Sequence, residues 1–132
     1  MLTKIKVSDY MTASVVTFSK STNIFEAIRT MVKAQITSAP VINEANQLIG
    51  IFTDKDCMAI AIGATYNQDM GGSVGDFMTH EVVTVKAESS ILEVAQQFNN
   101  THIRSFPVCD DDDNGFVGII SRTDVLKAIA AF

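Results

Sequence analysis

Two short stretches carry the residue types best suited to hold a ligand. Thr53-Asp54-Lys55-Asp56 and Ser121-Arg122-Thr123-Asp124 each place a hydroxyl residue three positions before an aspartate. Each follows a Gly-led apolar run, Gly50-Ile51-Phe52 or Gly118-Ile119-Ile120, and each opens an apolar helical pattern. A hydroxyl at a helix start can hold an anion, because the first-turn amides lack partners and the helix dipole is positive there. A carboxylate one turn on can accept from both hydroxyls of a sugar. Together these are the polar contacts of a nucleotide. The same spacing is also a helix-capping signature, and either copy alone reads first as a cap. The two roles are compatible, since a capping residue can face a ligand.

The other chemistry-bearing residues offer less. In Asp110-Asp111-Asp112-Asp113-Asn114-Gly115, positions 110, 112, 114 and 115 follow calcium-loop order, but Ser121 stands where the bidentate glutamate belongs. The flanks read as strands, so the run is expected to be a hairpin turn. His80 and His102 have no partners at metal-ligand spacing. Cys57 and Cys109 form no CxxC and have no His or Asp arrangement to activate them. Two lone thiols suggest a reducing, cytoplasmic setting. With no nucleophile–base pair, metal set or glycine-rich phosphate loop, the chain is not expected to be an enzyme and calls for no cofactor.

The elements that must hold these stretches come in two copies. Val7-Ser8-Asp9-Tyr10-Met11-Thr12 returns as Val74-Gly75-Asp76-Phe77-Met78-Thr79, and Pro40-Val41 returns at the same offset as Pro107-Val108. Gly50 to Asp56 then matches Gly118 to Asp124 with one residue added, which the acidic turn accounts for. Each copy reads as a short strand (Val15 to Phe18 in the first), a helix, two strands and a last helix. Asn23 and Ser90 are expected N-caps, with Glu26 and Glu93 in the reciprocal position. The first helix is expected to bury Ile24, Ala27, Ile28, Met31 and Val32, and its counterpart Ile91, Val94, Ala95 and Phe98. Asp9 and Asp76 are expected to cap the turn that opens each copy. The predicted class is α+β, with α/β-type repeats: two β-α-β-β-α repeats at 1–66 and 74–132, joined by a linker at 67–73 within the glycine-rich connector Gly63 to Ser73. A three-stranded repeat is marginal alone, so the two are expected to pack as a pseudo-two-fold pair with clefts at their junction.

Composition sets limits on partners. At 132 residues, with 47% hydrophobic and 19% charged residues, the chain can build a real core. A net charge of -5 argues against nucleic acid. No apolar run nears the roughly 18 residues that span a bilayer, and the first six residues have no apolar signal-peptide core, so no membrane is expected.

The motifs Val-x-Asp-x-Met-Thr at 7–12 and 74–79, the Pro-Val pairs, and Gly-Ile-x-[Thr/Ser]-x-x-Asp at 50–56 and 118–124 resemble the CBS domain, in the tandem arrangement called a Bateman module. The resemblance covers nearly the whole chain and leaves nothing for a catalytic domain, so the chain looks like a stand-alone pair. It implies regulatory binding of an adenosine-containing ligand, AMP, ADP, ATP or S-adenosylmethionine, and a homodimer acting on an unidentified regulated protein. It further implies two sites: Thr53 and Asp56 with Glu81, Ile103 and Arg104; and Ser121 and Asp124 with Ser14, Ile36 and Thr37. The aspartates would accept from ribose, the hydroxyls would meet phosphate, and Ile36 and Ile103 would line the adenine slot. Lys55 lies beside the first site and Arg122 beside the second. With Arg104 and Lys55 on its side, the Asp56 site is expected to be the better phosphate binder. The rival expectation is a ligand-free dimerising module in which the Thr/Ser-x-x-Asp stretches only cap helices.

Overall fold

The computed structural model describes residues 1–67 and 71–132. Its elements run α1 (Val7–Tyr10), α2 (Ile24–Ala34), β1 (Ser38–Ile42), β2 (Leu48–Thr53), α3 (Asp54–Asn67), α4 (Val74–Phe77), β3 (Val85–Lys86), α5 (Ile91–Asn99), β4 (Ser105–Cys109), β5 (Phe116–Ser121) and α6 (Arg122–Ala130). The α+β class and the duplicated plan are as the sequence implies. Two differences are local. The expected strand at Val15 to Phe18 contributes only a single parallel bridge, Phe18 to Val41. The connector's first part is helical, since α3 continues to Asn67; residues 68–70 of the expected linker lie outside the described residues.

The chain divides into two compact units that do not follow the repeat boundaries: Val16–Val82, and Met1–Val15 together with Val83–Phe132. In the Val16–Val82 unit, β1 and β2 form an antiparallel pair. Phe18, Ile24, Ala27, Met31, Ala39, Val41, Phe52 and Ile60 make the core, and Val74 from the opening of the second repeat completes it. In the other unit, β3, β4 and β5 form one sheet in that order. There Ile91, Val94, Phe98, Phe106, Val108, Ile120, Val125 and Ala128 pack with Val7, from the opening of the first repeat. Each repeat's opening segment therefore serves the other repeat's core.

Two glycines show how closely those segments approach. A Cβ on Gly118 would lie 2.6 Å from the Thr12 carbonyl oxygen, and one on Gly50 would lie 2.9 Å from that of Thr79. Thr12 exchanges two backbone hydrogen bonds with Ile119, at 2.8 and 2.9 Å, and Thr79 does the same with Ile51. The glycine in the Gly-Ile motif is thus the place where another strand of backbone crosses β2 or β5.

The helix caps follow the sequence with one change. Asn23 Oδ1 accepts from the amides of Phe25 and Glu26, and the Ser90 hydroxyl accepts from Glu93. Among the described residues, Glu26 and Glu93 return no bond to the cap. The openings of α1 and α4 are capped as expected: Asp9 accepts from the Lys6 amide, and Asp76 from the Ser73 amide and hydroxyl. Ile24, Ala27 and Met31 are buried in α2, but Val32 is 72% exposed. Eight residues at about 100° each carry Val32 roughly 80° past Ile24, beyond the edge of the apolar stripe.

Candidate ligand-binding site

Both hydroxyl–aspartate stretches are closed capping boxes at the start of a helix. The Thr53 amide and hydroxyl donate to Asp56 Oδ2 at 2.9 and 3.0 Å, while the Asp56 amide donates back to the Thr53 hydroxyl at 3.3 Å. Ser121 and Asp124 repeat this at 2.8, 3.0 and 3.2 Å. Each hydroxyl proton is therefore committed to a carboxylate. In this state the hydroxyl can accept from a ligand but not donate to one.

The second carboxylate oxygens differ. Asp56 Oδ1 accepts from the Thr79 hydroxyl at 3.2 Å. Thr12 holds the place of Thr79 in the other unit, yet among the described residues it makes no such bond, and Asp124 Oδ1 has no hydrogen-bond partner. Asp124 is 7% exposed, the one charged side chain among the described buried residues.

Hairpin register decides which residues flank each cluster. Ser38 stands opposite Thr53, and Ser105 opposite Ser121. The residue before each strand therefore meets the first residue of the following helix. The Asp54 amide donates to the Thr37 carbonyl at 2.8 Å, and the Arg122 amide to the Arg104 carbonyl at 3.2 Å. These bonds tie Thr37 to the Thr53 stretch and Arg104 to the Ser121 stretch. In an antiparallel hairpin these residues close the open end of their own repeat's ladder.

Arg122 has a structural task. Its Nε donates to the Ile103 carbonyl and its Nη2 to those of Phe98 and Thr101, at 3.0, 2.7 and 2.9 Å. The guanidinium also lies 5.1 Å from the centroid of the Phe98 ring. A cation at the C-terminal end of α5 satisfies carbonyls that the helix leaves open. The Ile103 and Ile36 side chains are half-buried and pack on the cores of their own units.

Beside the Ser121 cluster lies an open groove of roughly 690 Å³, whose lining includes His102, Arg104, Arg122 and Thr123. None of its described lining residues is a carboxylate. Around the Thr53 cluster the charges alternate instead: Asp54, Lys55, Asp56.

These opening segments, Pro-Val hairpins and glycine-led capping stretches are the parts by which the chain can be compared with known proteins. The CBS domain family matches residues 7–63 and again 74–131. The chain belongs to the CBS domain family. As a CBS pair it is similar to CBSX2 of Arabidopsis thaliana, at 27% identity and a TM-score of 0.81 over 96% of this chain and 95% of that one. A structure of CBSX2 in complex with AMP gives 26% identity and a TM-score of 0.83, over 96% and 97%. The CBS domain pair of MJ0100, in complex with 5′-methylthioadenosine and S-adenosyl-L-methionine, gives 26% and 0.74, over 96% of each chain. MJ1225 of Methanocaldococcus jannaschii is 26% identical over 125 residues, 95% of this chain and 43% of that protein. Inosine-5′-monophosphate dehydrogenase of the same organism is 30% identical over 122 residues, 92% of this chain and 23% of the enzyme. The CBS pair thus spans less than half the length of these two relatives.

Glu81 shares the Val16–Val82 unit with Asp56, and Ser14 shares the other with Ser121. Both are exposed. Thr79 is the site residue that sequence reasoning missed. Its place in the repeated Met-Thr motif was visible, but its bond to Asp56 depends on α3 and the second repeat's opening meeting in one unit. His80 and His102 are exposed, and no group of three metal-ligating side chains gathers among the described residues. Asp110 to Gly115 form the β4–β5 turn, with Asp110 and Asp113 accepting from Asp112 and Gly115 amides. Burial raises the pKa of both thiols, and the charges of Asp56 and Asp54 raise that of Cys57 further. Neither is poised as a thiolate nucleophile. No helix among the described residues is long and apolar enough to cross a membrane.

Proposed function

We propose that this CBS pair is a regulatory module that binds an adenosine-containing ligand at its hydroxyl–aspartate clusters and passes the change to a partner or to its own dimer. The observation that carries the reading is the duplicated cluster: a capped helix start, a pre-proline residue and the other repeat's opening segment, gathered in each unit. Two similar CBS pairs are described with AMP, and with 5′-methylthioadenosine and S-adenosylmethionine. The aspartates suit ribose hydroxyls, and the helix starts suit phosphate. The free thiols Cys57 and Cys109 fit a reducing compartment such as the cytoplasm. A ligand acts here only by favouring one arrangement of the chain over another.

The test is thermal unfolding with and without millimolar AMP, ATP or S-adenosylmethionine. Ligand at a hundred times its Kd adds about 2.7 kcal/mol of stability, which a melting curve resolves easily. If none of the three raises the melting temperature, the reading falls. A second reading, a ligand-free self-associating module, draws on exposed apolar residues of α3 and α6: Met58, Ile62, Leu126 and Ile129. It predicts a dimer by sedimentation whose melting temperature no adenosine compound moves.

A further inference from the structure

We infer that the two clusters are chemically unequal, with the Ser121–Asp124 cluster the site for a phosphorylated adenosine and the Thr53–Asp56 cluster disfavouring phosphate. The inference rests on the adenosine-ligand reading and assigns the charge of the ligand at each site. Three observations lead there.

First, hairpin register gives Arg104 to Ser121: its carbonyl receives the Arg122 amide, and its exposed guanidinium has no partner among the described residues. Thr37 holds the same register position beside Thr53 and carries no charge. Second, the local charges oppose each other. Beside Ser121, Arg104 and Arg122 line a groove whose described lining holds no acid, and Asp124 is the one carboxylate of the stretch Ser121 to Asp124. Around Thr53, two carboxylates, Asp54 and Asp56, flank the single ammonium of Lys55. A doubly charged phosphate is drawn to the first setting and repelled by the second. Third, the ribose acceptors differ in availability. Asp124 Oδ1 has no hydrogen bond from a described residue and is open to solvent, whereas Thr79 occupies Asp56 Oδ1. A sugar hydroxyl must displace Thr79 to reach Asp56 Oδ1 and displaces only water at Asp124 Oδ1.

Calorimetric titration of the intact chain with AMP and with adenosine tests this. Arg104→Thr installs the residue that the first repeat carries at the same place, on an exposed position that leaves the fold intact. It should weaken AMP at least tenfold and change adenosine less than twofold. Asp124→Asn should cost AMP more than Asp56→Asn does; if Asp124→Asn fails to fold, the Arg104→Thr comparison decides alone. Unchanged AMP affinity in Arg104→Thr, or a larger loss from Asp56→Asn, overturns the inequality and leaves the adenosine reading standing. No heat from either compound with the unmodified chain overturns both.

Discussion

Arg122 carries an internal task beside the candidate site. Three carbonyls from the end of α5 and the segment after it converge on its Nε and Nη2, and the Phe98 ring flanks its guanidinium. A fork of planar donors fits such a cluster, whereas an ammonium satisfies it only in part. Arg122→Ala should therefore destabilise the chain by about 1–2 kcal/mol, the range for charged hydrogen bonds discounted for exposure. Arg122→Lys should recover less than half of that loss although it keeps the charge. Thermal melting of the two variants checks the point; full recovery by lysine would mean that charge alone matters there.

At the scale of elements, the glycine before each capping stretch is set by a crossing strand. Gly118→Ala puts a Cβ 2.6 Å from the Thr12 carbonyl, a backbone atom that cannot swing away. Such overpacking costs roughly 1–3 kcal/mol. Gly63→Ala, inside α3 with nothing within 4 Å of the added Cβ, should instead stabilise by up to about 1 kcal/mol. Urea unfolding of the two variants should give opposite signs, and a Gly118→Ala variant as stable as the parent would refute the crossing-strand explanation. The same contrast shows what was legible in the sequence. Periodicity located α2, α5 and the hairpins, and the duplication exposed the capping stretches, because all are local patterns. What left no local pattern was non-local contact and register. Which side of the hairpin Arg104 closes depends on Ser105 facing Ser121. The Thr79 bond to Asp56 joins residues from different repeats. Neither leaves a periodic trace in the chain.

For the molecule as a whole, the repeat read from sequence and the unit that packs are different objects. Val74 is fully buried in the core of the Val16–Val82 unit, and Val7 in that of the other. A fragment of residues 1–66 would keep Val7 without its core. It would lose Val74, the Ile51–Thr79 bridge, the Asn23–Ser73 bridge and the Thr79 bond to Asp56. Val74 alone is worth about 1.5–3 kcal/mol when buried, a large share of the stability of so small a body. A fragment of residues 16–82 keeps all of these contacts. It should therefore unfold cooperatively in urea and protect the Ile51 amide, which donates to the Thr79 carbonyl at 2.9 Å. Residues 1–66 should show neither behaviour. Equal cooperativity and equal Ile51 protection in the two fragments, measured by hydrogen exchange, would mean that the opening segments only decorate a repeat that folds without them. The swapped cores predict the opposite: each repeat's opening segment is part of what lets the other repeat hold its capped helix start, and with it the carboxylate on which ligand binding is proposed to depend.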